Sequence, residues 1–257
     1  MGQPETKMLE VDGVTVRFGG ITAVNDATFS VEPGTITALI GPNGAGKTTM
    51  FNVISGLQPP TAGRVSFLGD DVSDLGTHAR ARKGIARTFQ RLEAFGSLSV
   101  QENIQVAAEI HQRWSRTKVD IASKVDGILD RIGLRKLAHQ QADSVPTGTA
   151  RLLELARALA IDPRLLLLDE PSSGLDEEET DDFADLLRSL VSEGKAVLIV
   201  EHDMDLVMGV CDYIHVLDFG TILSSGLPEE IRADPRVQDA YLGAAPDDEP
   251  AVVGGKA

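Results

Sequence analysis

A glycine-rich loop between an apolar run and a helical pattern is the feature that most constrains this chain of 257 residues. Residues 41–48 read Gly-Pro-Asn-Gly-Ala-Gly-Lys-Thr and follow the continuous apolar run of residues 36–40. Glycines at this spacing let successive backbone N–H groups point at a phosphate, with the positive end of a helix dipole behind them. A chance turn before a helix is the alternative, but it seldom has both flanking elements. The loop therefore predicts a nucleotide-binding site.

The polar residues of this loop have distinct expected roles. The Lys47 ammonium is predicted to reach the β- and γ-phosphates, and the Thr48 hydroxyl is predicted to ligate Mg²⁺. The other positions supply the backbone cradle. The predicted nucleotide contacts in this loop are Gly41, Pro42, Asn43, Gly44, Ala45, Gly46, Lys47, Thr48 and Thr49.

Two further apolar runs end in residues suited to phosphate hydrolysis. Residues 165–168 run into Asp169 and Glu170. Residues 196–200 are followed, after one residue, by His202. Ligands of open α/β sheets bind at the carboxyl ends of the strands, so these side chains are expected beside the loop. Asp169 is predicted to hold Mg²⁺ through water, Glu170 to polarise the attacking water and His202 to contact the γ-phosphate.

The pattern alone leaves structural interpretations of these residues open. An acidic pair can simply begin a loop, and a lone histidine more often has a structural role. Gln90 ends another short strand, and a glutamine by itself carries no signal.

Apolar strands alternate with helical patterns along most of the chain, which predicts an α/β fold with a parallel sheet covered on both faces. Residues 9–18 and 27–31 instead alternate apolar with polar side chains, as in an N-terminal antiparallel piece. A mostly helical subdomain is expected at about 91–160. The prediction is one domain at 8–243 and a flexible acidic tail at 244–257.

Charge and composition narrow the classes of function. Lys and Arg number 24 against 39 Asp and Glu, so the formal net charge is -15. This charge repels nucleic-acid phosphates, and non-specific nucleic-acid binding is not expected. A single cysteine, Cys211, fits a reducing cytoplasm. No apolar stretch approaches the roughly 20 residues that span a bilayer, so any work at a membrane is expected from outside it.

The whole arrangement resembles the ATP-binding subunits of ATP-binding cassette (ABC) transporters, over residues 9–243. The resemblance implies a P-loop NTPase core that binds ATP and Mg²⁺ and hydrolyses ATP. Residues 41–48 match the Walker A loop and residues 172–176 the D-loop. Five side chains take implied roles: Phe18 stacks on adenine, Gln90 joins the Mg²⁺ site to the membrane contact, Asp169 is the Walker B aspartate, Glu170 is the general base and His202 is the switch histidine. For Phe18, core packing on the strand face of Val14 and Val16 stays an alternative.

Within that family, several segments resemble the branched-chain amino-acid uptake ATPases. They are residues 86–90, Phe95, and residues 98–100, 102–104 and 240–243. The resemblance implies two integral-membrane permease subunits, a second ABC ATPase subunit and, indirectly, a periplasmic or extracellular solute-binding protein, with no nucleic acid. It also implies a peripheral place on the cytoplasmic face of the cell membrane. A transporter of urea or amides, which shares much of this pattern, or of lipids stays an alternative.

Residues 145–149 depart from the family's signature motif, whose usual form is Leu-Ser-Gly-Gly-Gln before a helix. They read Val-Pro-Thr-Gly-Thr, so Pro146 stands in place of the serine. Thr147, Gly148 and Thr149 remain candidates for phosphate contact at the helix N-terminus. In the head-to-tail sandwich that the resemblance implies, the signature faces the nucleotide held by the partner cassette.

A soluble cassette ATPase acting on ribosomes or DNA and a simple kinase are the competing functions. Ribosome-acting members resemble two fused cassettes and DNA-repair members carry long coiled-coil insertions, whereas this chain has one cassette and no sustained heptads. A signature-type segment upstream of the Walker B residues does not suit a kinase. The importer subunit is therefore favoured.

A basic cluster lies beside Gln90 in this acidic chain. Contact with a cytoplasmic loop of a membrane partner, or with anionic lipid headgroups, is one interpretation, and a solvated helix and strand face is the other. The cluster consists of Arg80, Arg82, Lys83, Arg87 and Arg91.

Overall fold

The computed structural model describes residues 7–88 and 94–242, which form two β-sheets with helices packed against them. Gln90, Arg91 and the predicted acidic tail at 244–257 lie outside the described residues. The predicted α/β fold, with a parallel sheet and an N-terminal antiparallel piece, is confirmed.

The smaller sheet is antiparallel and has the strand order β2-β1-β4-β5. Residues 9–12 of β1 alternate buried and exposed, because one face packs on the core and the other meets solvent, whereas residues 14–16 are all buried. The strands are β1 (Leu9–Phe18), β2 (Ile21–Val31), β4 (Ala62–Phe67) and β5 (Asp70–Asp71).

The larger sheet has six strands in the order β10-β9-β3-β8-β7-β6. Neighbouring strands are parallel from β9 to β6, and β10 is added antiparallel to β9 at one edge. Every residue of β3, β7 and β8 is buried, as expected for strands covered on both faces. The strands are β3 (Ile36–Ile40), β6 (Ile85–Arg87), β7 (Leu165–Asp169), β8 (Ala196–Val200), β9 (Tyr213–Asp218) and β10 (Thr221–Gly226).

Six helices accompany the sheets outside the segment predicted as a helical subdomain. They are α1 (Lys47–Ser55), α2 (Thr77–Lys83), α6 (Glu177–Ser192), α7 (Met204–Val210), α8 (Pro228–Ala233) and α9 (Pro235–Leu242). None of the helices in the described part of the chain is both long and apolar enough to cross a membrane.

Three α-helices and two short 3-10 helices occupy the described part, residues 94–160, of the segment for which the helical subdomain is predicted. The α-helices are α3 (Val100–Ser115), α4 (Ile121–Arg131) and α5 (Thr147–Ala160). Helix α3 begins with a capping box, in which the Ser99 hydroxyl accepts from the Glu102 N–H while the Glu102 carboxylate accepts from the Ser99 N–H. Apolar residues of these helices and of the parallel sheet form one continuous core.

The predicted basic cluster does not form one surface patch. Two of its members, Arg80 and Arg87, have buried side chains, so both surface interpretations are wrong for them. The Arg80 side chain is buried and donates to the carbonyl oxygens of Val53 and Ile54 at 2.5 and 2.8 Å. The Arg87 side chain is buried against Asp169. Only Arg82 and Lys83 are exposed among the described members, because the spacing of arginines in the sequence does not reveal which backbone or carboxylate groups they meet.

Candidate nucleotide-binding and hydrolysis site

The glycine-rich loop connects the carboxyl end of β3 to the first turn of α1, which begins at Lys47. The Lys47 ammonium is buried and donates to the carbonyl oxygens of Gly41 at 2.5 Å and Pro42 at 3.1 Å. Burial lowers the pKa of Lys47, and the nearby carboxylates of Glu170 and Asp169 oppose that shift. The lysine is therefore held inside the loop by bonds that a phosphate can replace.

Backbone from β9, the strand beside β3, supports this loop from behind. At Gly41, a Cβ would lie 1.9 Å from the Leu217 carbonyl oxygen of β9, and the φ of 151° also disfavours a side chain. The turn between β9 and β10 contributes a hydrogen bond of 2.9 Å from the Gly220 N–H to the Ala45 carbonyl. The sequence does not predict this contact, because Gly220 and Ala45 lie far apart along the chain.

Glu170 and His202 meet at the carboxyl ends of β7 and β8. His202 Nε2 lies 3.0 Å from Glu170 Oε1. The two side chains are 25% and 49% exposed, respectively, so both remain reachable from solvent. Glu170 has a φ of 50°, which is uncommon for a residue with a side chain, and its N–H donates to the Val200 carbonyl at 2.8 Å. This strained turn directs the carboxylate toward the loop rather than along the strand.

A pocket of about 270 Å³ joins these predicted residues. The glycine-rich loop forms one wall, and Glu170, Val200 and His202 form the other. The lining residues from the loop are Asn43, Gly44, Ala45, Gly46, Lys47, Thr48 and Thr49. The pocket thus combines a phosphate-binding loop with a carboxylate and an imidazole, which are groups that can orient and deprotonate a water.

Asp169 is almost completely buried beside this pocket. Its Oδ2 accepts from the Arg87 guanidinium at 3.1 Å, and its pKa is raised by burial, an effect that Arg87 opposes. No described residue donates a hydrogen bond to Asp169 Oδ1. This oxygen and the exposed Thr48 hydroxyl fit the oxygen ligands that Mg²⁺ prefers.

Mg²⁺ would need further ligands in addition to these two side chains. Within residues 7–88 and 94–242, no group of three or more His, Cys, Asp or Glu side chains could hold a metal ion. Mg²⁺ typically completes its octahedron with water and substrate phosphates, so the donor set suits a metal that arrives with a nucleotide. Gln90, the third predicted metal ligand, lies outside the described residues.

Phe18 ends β1 and is 49% exposed, whereas Val14 and Val16 of the same strand are fully buried. The core-packing alternative for Phe18 is therefore wrong. The ring does not line the loop pocket, and its stacking on adenine stays a prediction.

The signature segment lies apart from the loop pocket of its own chain. Pro146 precedes α5 and provides no side-chain cap. A Cβ on Gly148 would lie 2.6 Å from the Gly174 carbonyl, so glycine allows the D-loop to pack on the signature. Thr149 is buried and Thr147 is exposed, which leaves Thr147 as the threonine that a partner could reach.

Two polar residues that were not predicted to belong to the site, Glu201 and Arg87, hold it together. Glu201 is 4% exposed, and its carboxylate accepts from the N–H groups of Ser172 at 2.8 Å and His202 at 3.1 Å. Arg87 pairs with Asp169, as described above. The only signal for Glu201 is its place between the apolar strand and His202.

Comparisons with known proteins show the family of this chain. A family model described as ABC transporter matches residues 24–173, and one described as branched-chain amino acid ATP-binding cassette transporter matches residues 221–247. The high-affinity branched-chain amino acid transport ATP-binding protein BraF of Pseudomonas aeruginosa is 40% identical, over 93% of this chain and 98% of that protein. LivG of Escherichia coli, which has the same description, is 39% identical over 95% of this chain and 100% of its own length.

Solved structures share the fold. A nucleotide-free ATP-binding cassette from an ABC transporter superposes with a TM-score of 0.83 at 28% identity, over 91% of this chain and 98% of that chain. The ADP conformation of an ATP-binding cassette of an ABC transporter gives a TM-score of 0.81 at 28% identity, over 92% and 99% of the two chains.

Proposed function

The chain belongs to the ATP-binding cassettes of ABC transporters, and from this premise we propose that it hydrolyses ATP to power an importer of branched-chain amino acids. The observation that carries the hydrolytic part is the pocket in which the glycine-rich loop faces Glu170 and His202. Three neighbouring strands of one sheet supply these groups, so a bound γ-phosphate would meet them together.

Lys47 and the loop N–H groups bind the phosphates in this proposal. The ammonium exchanges its bonds to the Gly41 and Pro42 carbonyls for phosphate oxygens. Thr48 and Asp169 hold Mg²⁺, which supplies charge neutralisation on the phosphates when bound. Phe18 provides an exposed aromatic face for the adenine.

Glu170 acts on water in the same proposal. Its Oε1 accepts a proton from a water placed in line with the γ-phosphate, and His202 fixes the orientation of the carboxylate through the bond of 3.0 Å. His202 remains half exposed, so its ring can also donate to the phosphate once the pocket is closed by a partner.

Partners follow from what one chain lacks. The signature of this chain is not part of its own loop pocket, which supports a second ABC ATPase subunit as the group that completes each site. The relatives are named as transport ATP-binding proteins, which supports membrane permeases as the partner subunits whose conformational change ATP hydrolysis drives. A peripheral place on the cytoplasmic face of the membrane follows from this assignment.

The branched-chain substrate rests on the C-terminal segment and the relatives. Residues 221–247 match the branched-chain amino acid model, and the BraF and LivG proteins carry that substrate class in their names. The residues that match include β10, α8 and α9, which lie at the β10 edge of the large sheet. This supports the amino-acid importer over the urea, amide and lipid alternatives.

Reconstitution tests the proposal. The full chain is assembled in liposomes with permeases, a partner cassette and a solute-binding protein of its own organism, and uptake of radiolabelled leucine and urea is measured with ATP inside. We expect ATP-dependent leucine uptake that Glu170→Gln abolishes and Glu177→Gln, at an exposed position, does not. Uptake of urea without leucine would contradict the substrate, and the absence of ATP hydrolysis by the assembled complex would contradict the function.

A further inference from the structure

Arg87 connects side chains of α1 and β7, two elements that lie far apart in the sequence. Its guanidinium donates to Asp169 Oδ2 at 3.1 Å, to Asn52 Oδ1 at 2.6 Å and to Ser55 Oγ at 3.2 Å. The carbon of the guanidinium also lies 5.5 Å from the centre of the Phe51 ring. A single rigid head group therefore ties β7 to the carboxyl half of α1, the helix whose first turn carries Lys47 and Thr48.

The pair between Arg87 and Asp169 is buried, with 6% and 3% of the side chains exposed. Water does not compete for these groups, so the position of the Asp169 carboxylate is set by the guanidinium rather than by solvent. The bond engages Oδ2 and leaves Oδ1 without a hydrogen-bond donor among the described residues. Within the described residues, one carboxylate oxygen is thus held in place and the other has no protein donor.

We propose that Arg87 is a positioning residue that fixes Asp169 for Mg²⁺ relative to the glycine-rich loop, through its simultaneous bonds to Asp169 and Asn52. This inference rests on the proposed function, because it concerns the same nucleotide site. Arg87 ends β6, the strand paired with β7, and does not line the loop pocket, so its role is to orient a ligand rather than to contact the nucleotide.

The planar fork of arginine is needed for this arrangement. Lysine carries the same charge, but its single ammonium cannot bond Asp169 and Asn52 in the fixed geometry of a guanidinium. Arg87→Lys therefore separates orientation from charge. Arg87→Met removes both the charge and the fork. If the Arg87 charge merely repelled Mg²⁺, this variant would bind Mg²⁺ more tightly, whereas loss of positioning would weaken Mg²⁺ binding.

Arg80 supplies the matched control. Its buried guanidinium also binds the carboxyl end of α1, through the carbonyl oxygens of Val53 and Ile54, but it has no bond to Asp169. Arg80→Lys loses a comparable buried fork and lowers stability without touching the carboxylate. A second variant, Asn52→Ala, removes one of the groups that hold Arg87 and leaves Arg87 and Asp169 unchanged.

Equilibrium binding of a fluorescent N-methylanthraniloyl ATP to the full chain is the test, measured once in excess Mg²⁺ and once in EDTA. The ratio of the two affinities is the Mg²⁺-dependent gain, and a thermal melt accompanies each variant. We expect Arg87→Lys to reduce the gain about 10-fold, with affinity in EDTA within about 2-fold of the parent, since a hydrogen bond to a charged group is lost at the metal ligand only. Asn52→Ala is expected to reduce the gain less, and Arg80→Lys not at all.

Several results would overturn the inference. They are an unchanged gain in Arg87→Lys, an equal loss of affinity in Mg²⁺ and EDTA, or a larger gain in Arg87→Met. If Arg87→Lys does not fold, Asn52→Ala replaces it as the test. A reduced Mg²⁺-dependent gain in that variant supports the inference, and an unchanged gain overturns it. A parent chain that binds no nucleotide in either buffer would instead refute the proposed function, which separates that failure from a failure of the role of Arg87.

Discussion

His202 Nε2 and Glu170 Oε1 lie 3.0 Å apart, although 32 residues separate them in the sequence. They meet because β7 and β8 are adjacent parallel strands in which Asp169 pairs with Val200, so the residues that follow each strand leave the sheet at the same edge. The His202 ring, which also lines the pocket, thus orients the Glu170 carboxylate. Changes at either residue are therefore expected to affect hydrolysis more than nucleotide binding.

Glu170→Gln is expected to retain ATP binding and to slow hydrolysis by about 10² to 10⁴, the usual contribution of a positioned general base. The amide has nearly the same shape but cannot accept a proton from water. Single-turnover hydrolysis in the assembled complex, with nucleotide affinity measured in parallel, checks this. Glu177→Gln at an exposed position is the control, and hydrolysis at the parent rate in Glu170→Gln would exclude Glu170 as the base.

Lys47→Ala is expected to weaken ATP binding by about 10- to 150-fold, the range for losing a hydrogen bond to a charged group. The loss is a net value, because in the free chain the ammonium already bonds the carbonyl oxygens of Gly41 and Pro42. Titration with fluorescent ATP measures it. Lys118→Ala, at an exposed position in another part of the chain, should bind like the parent, and undiminished affinity in Lys47→Ala would remove the lysine from the site.

Glu201→Gln is expected to lower kcat about 10-fold, because one of the N–H groups that bond the Glu201 carboxylate loses its acceptor. Glu201 does not line the loop pocket, so KM for ATP should change by less than about 2-fold. The carboxylate accepts from both the Ser172 and His202 N–H groups, and glutamine has one acceptor oxygen for two donors. Hydrogen exchange at the two amides should accelerate in the variant. Unchanged exchange together with a reduced kcat would contradict a positioning role.

The sequence predicts the positions of the glycine-rich loop and of the strand ends well, because each is a run of consecutive residues recognised by the elements directly before and after it. The roles of Arg87 and Glu201 in the site are not predicted by the sequence, since their partners lie 82 and 29 residues away and the sheet order brings them together. Arg80 appeared to be part of a surface cluster for the same reason. Helix periodicity at Thr149 could have predicted its burial, as it lies four residues before the buried Leu153.

Acid is expected to destabilise the chain partly through His215. Its Nε2–H donates to the Ser30 carbonyl at 3.0 Å, and Nδ1 accepts from the Ser225 hydroxyl at 2.7 Å. Burial lowers the pKa of His215 below its ordinary value of 6.5, an effect that the bond to Ser30 partly opposes. The unfolded chain therefore takes up a proton first as pH falls, so this contribution is full above about pH 6.5 and is lost below it.

Thermal or urea unfolding between pH 7.5 and 5.5 measures that loss. His215→Gln is expected to be less stable at neutral pH but to lose less stability on acidification, by up to about 1.4 kcal/mol per pH unit within the window. His139→Gln, at an exposed histidine, should follow the parent. Parallel pH profiles for the parent and His215→Gln would show that His215 does not contribute.

The last prediction concerns unequal hydrolysis at the two sites of a cassette pair. Pro146 stands where the family signature has serine, and the structure gives this helix start no side-chain cap. The signature would face the partner's nucleotide, so losing the hydroxyl weakens closure there by roughly 10- to 150-fold unless Thr147 substitutes. The site with this chain's Glu170 would face an ordinary partner signature and should be the stronger one.

In the reconstituted heteromer, Glu170→Gln should therefore cost more ATPase activity than the matching change in the partner, and Pro146→Ser should narrow the gap. Serine also caps the helix, which by itself stabilises it by about 1 kcal/mol. Pro146→Ala removes the proline without a hydroxyl and should leave the gap unchanged, which separates phosphate contact from a backbone effect. Equal losses from the two glutamate changes, or a homodimeric native complex, would contradict the asymmetry, because both sites would then close over the same kind of signature.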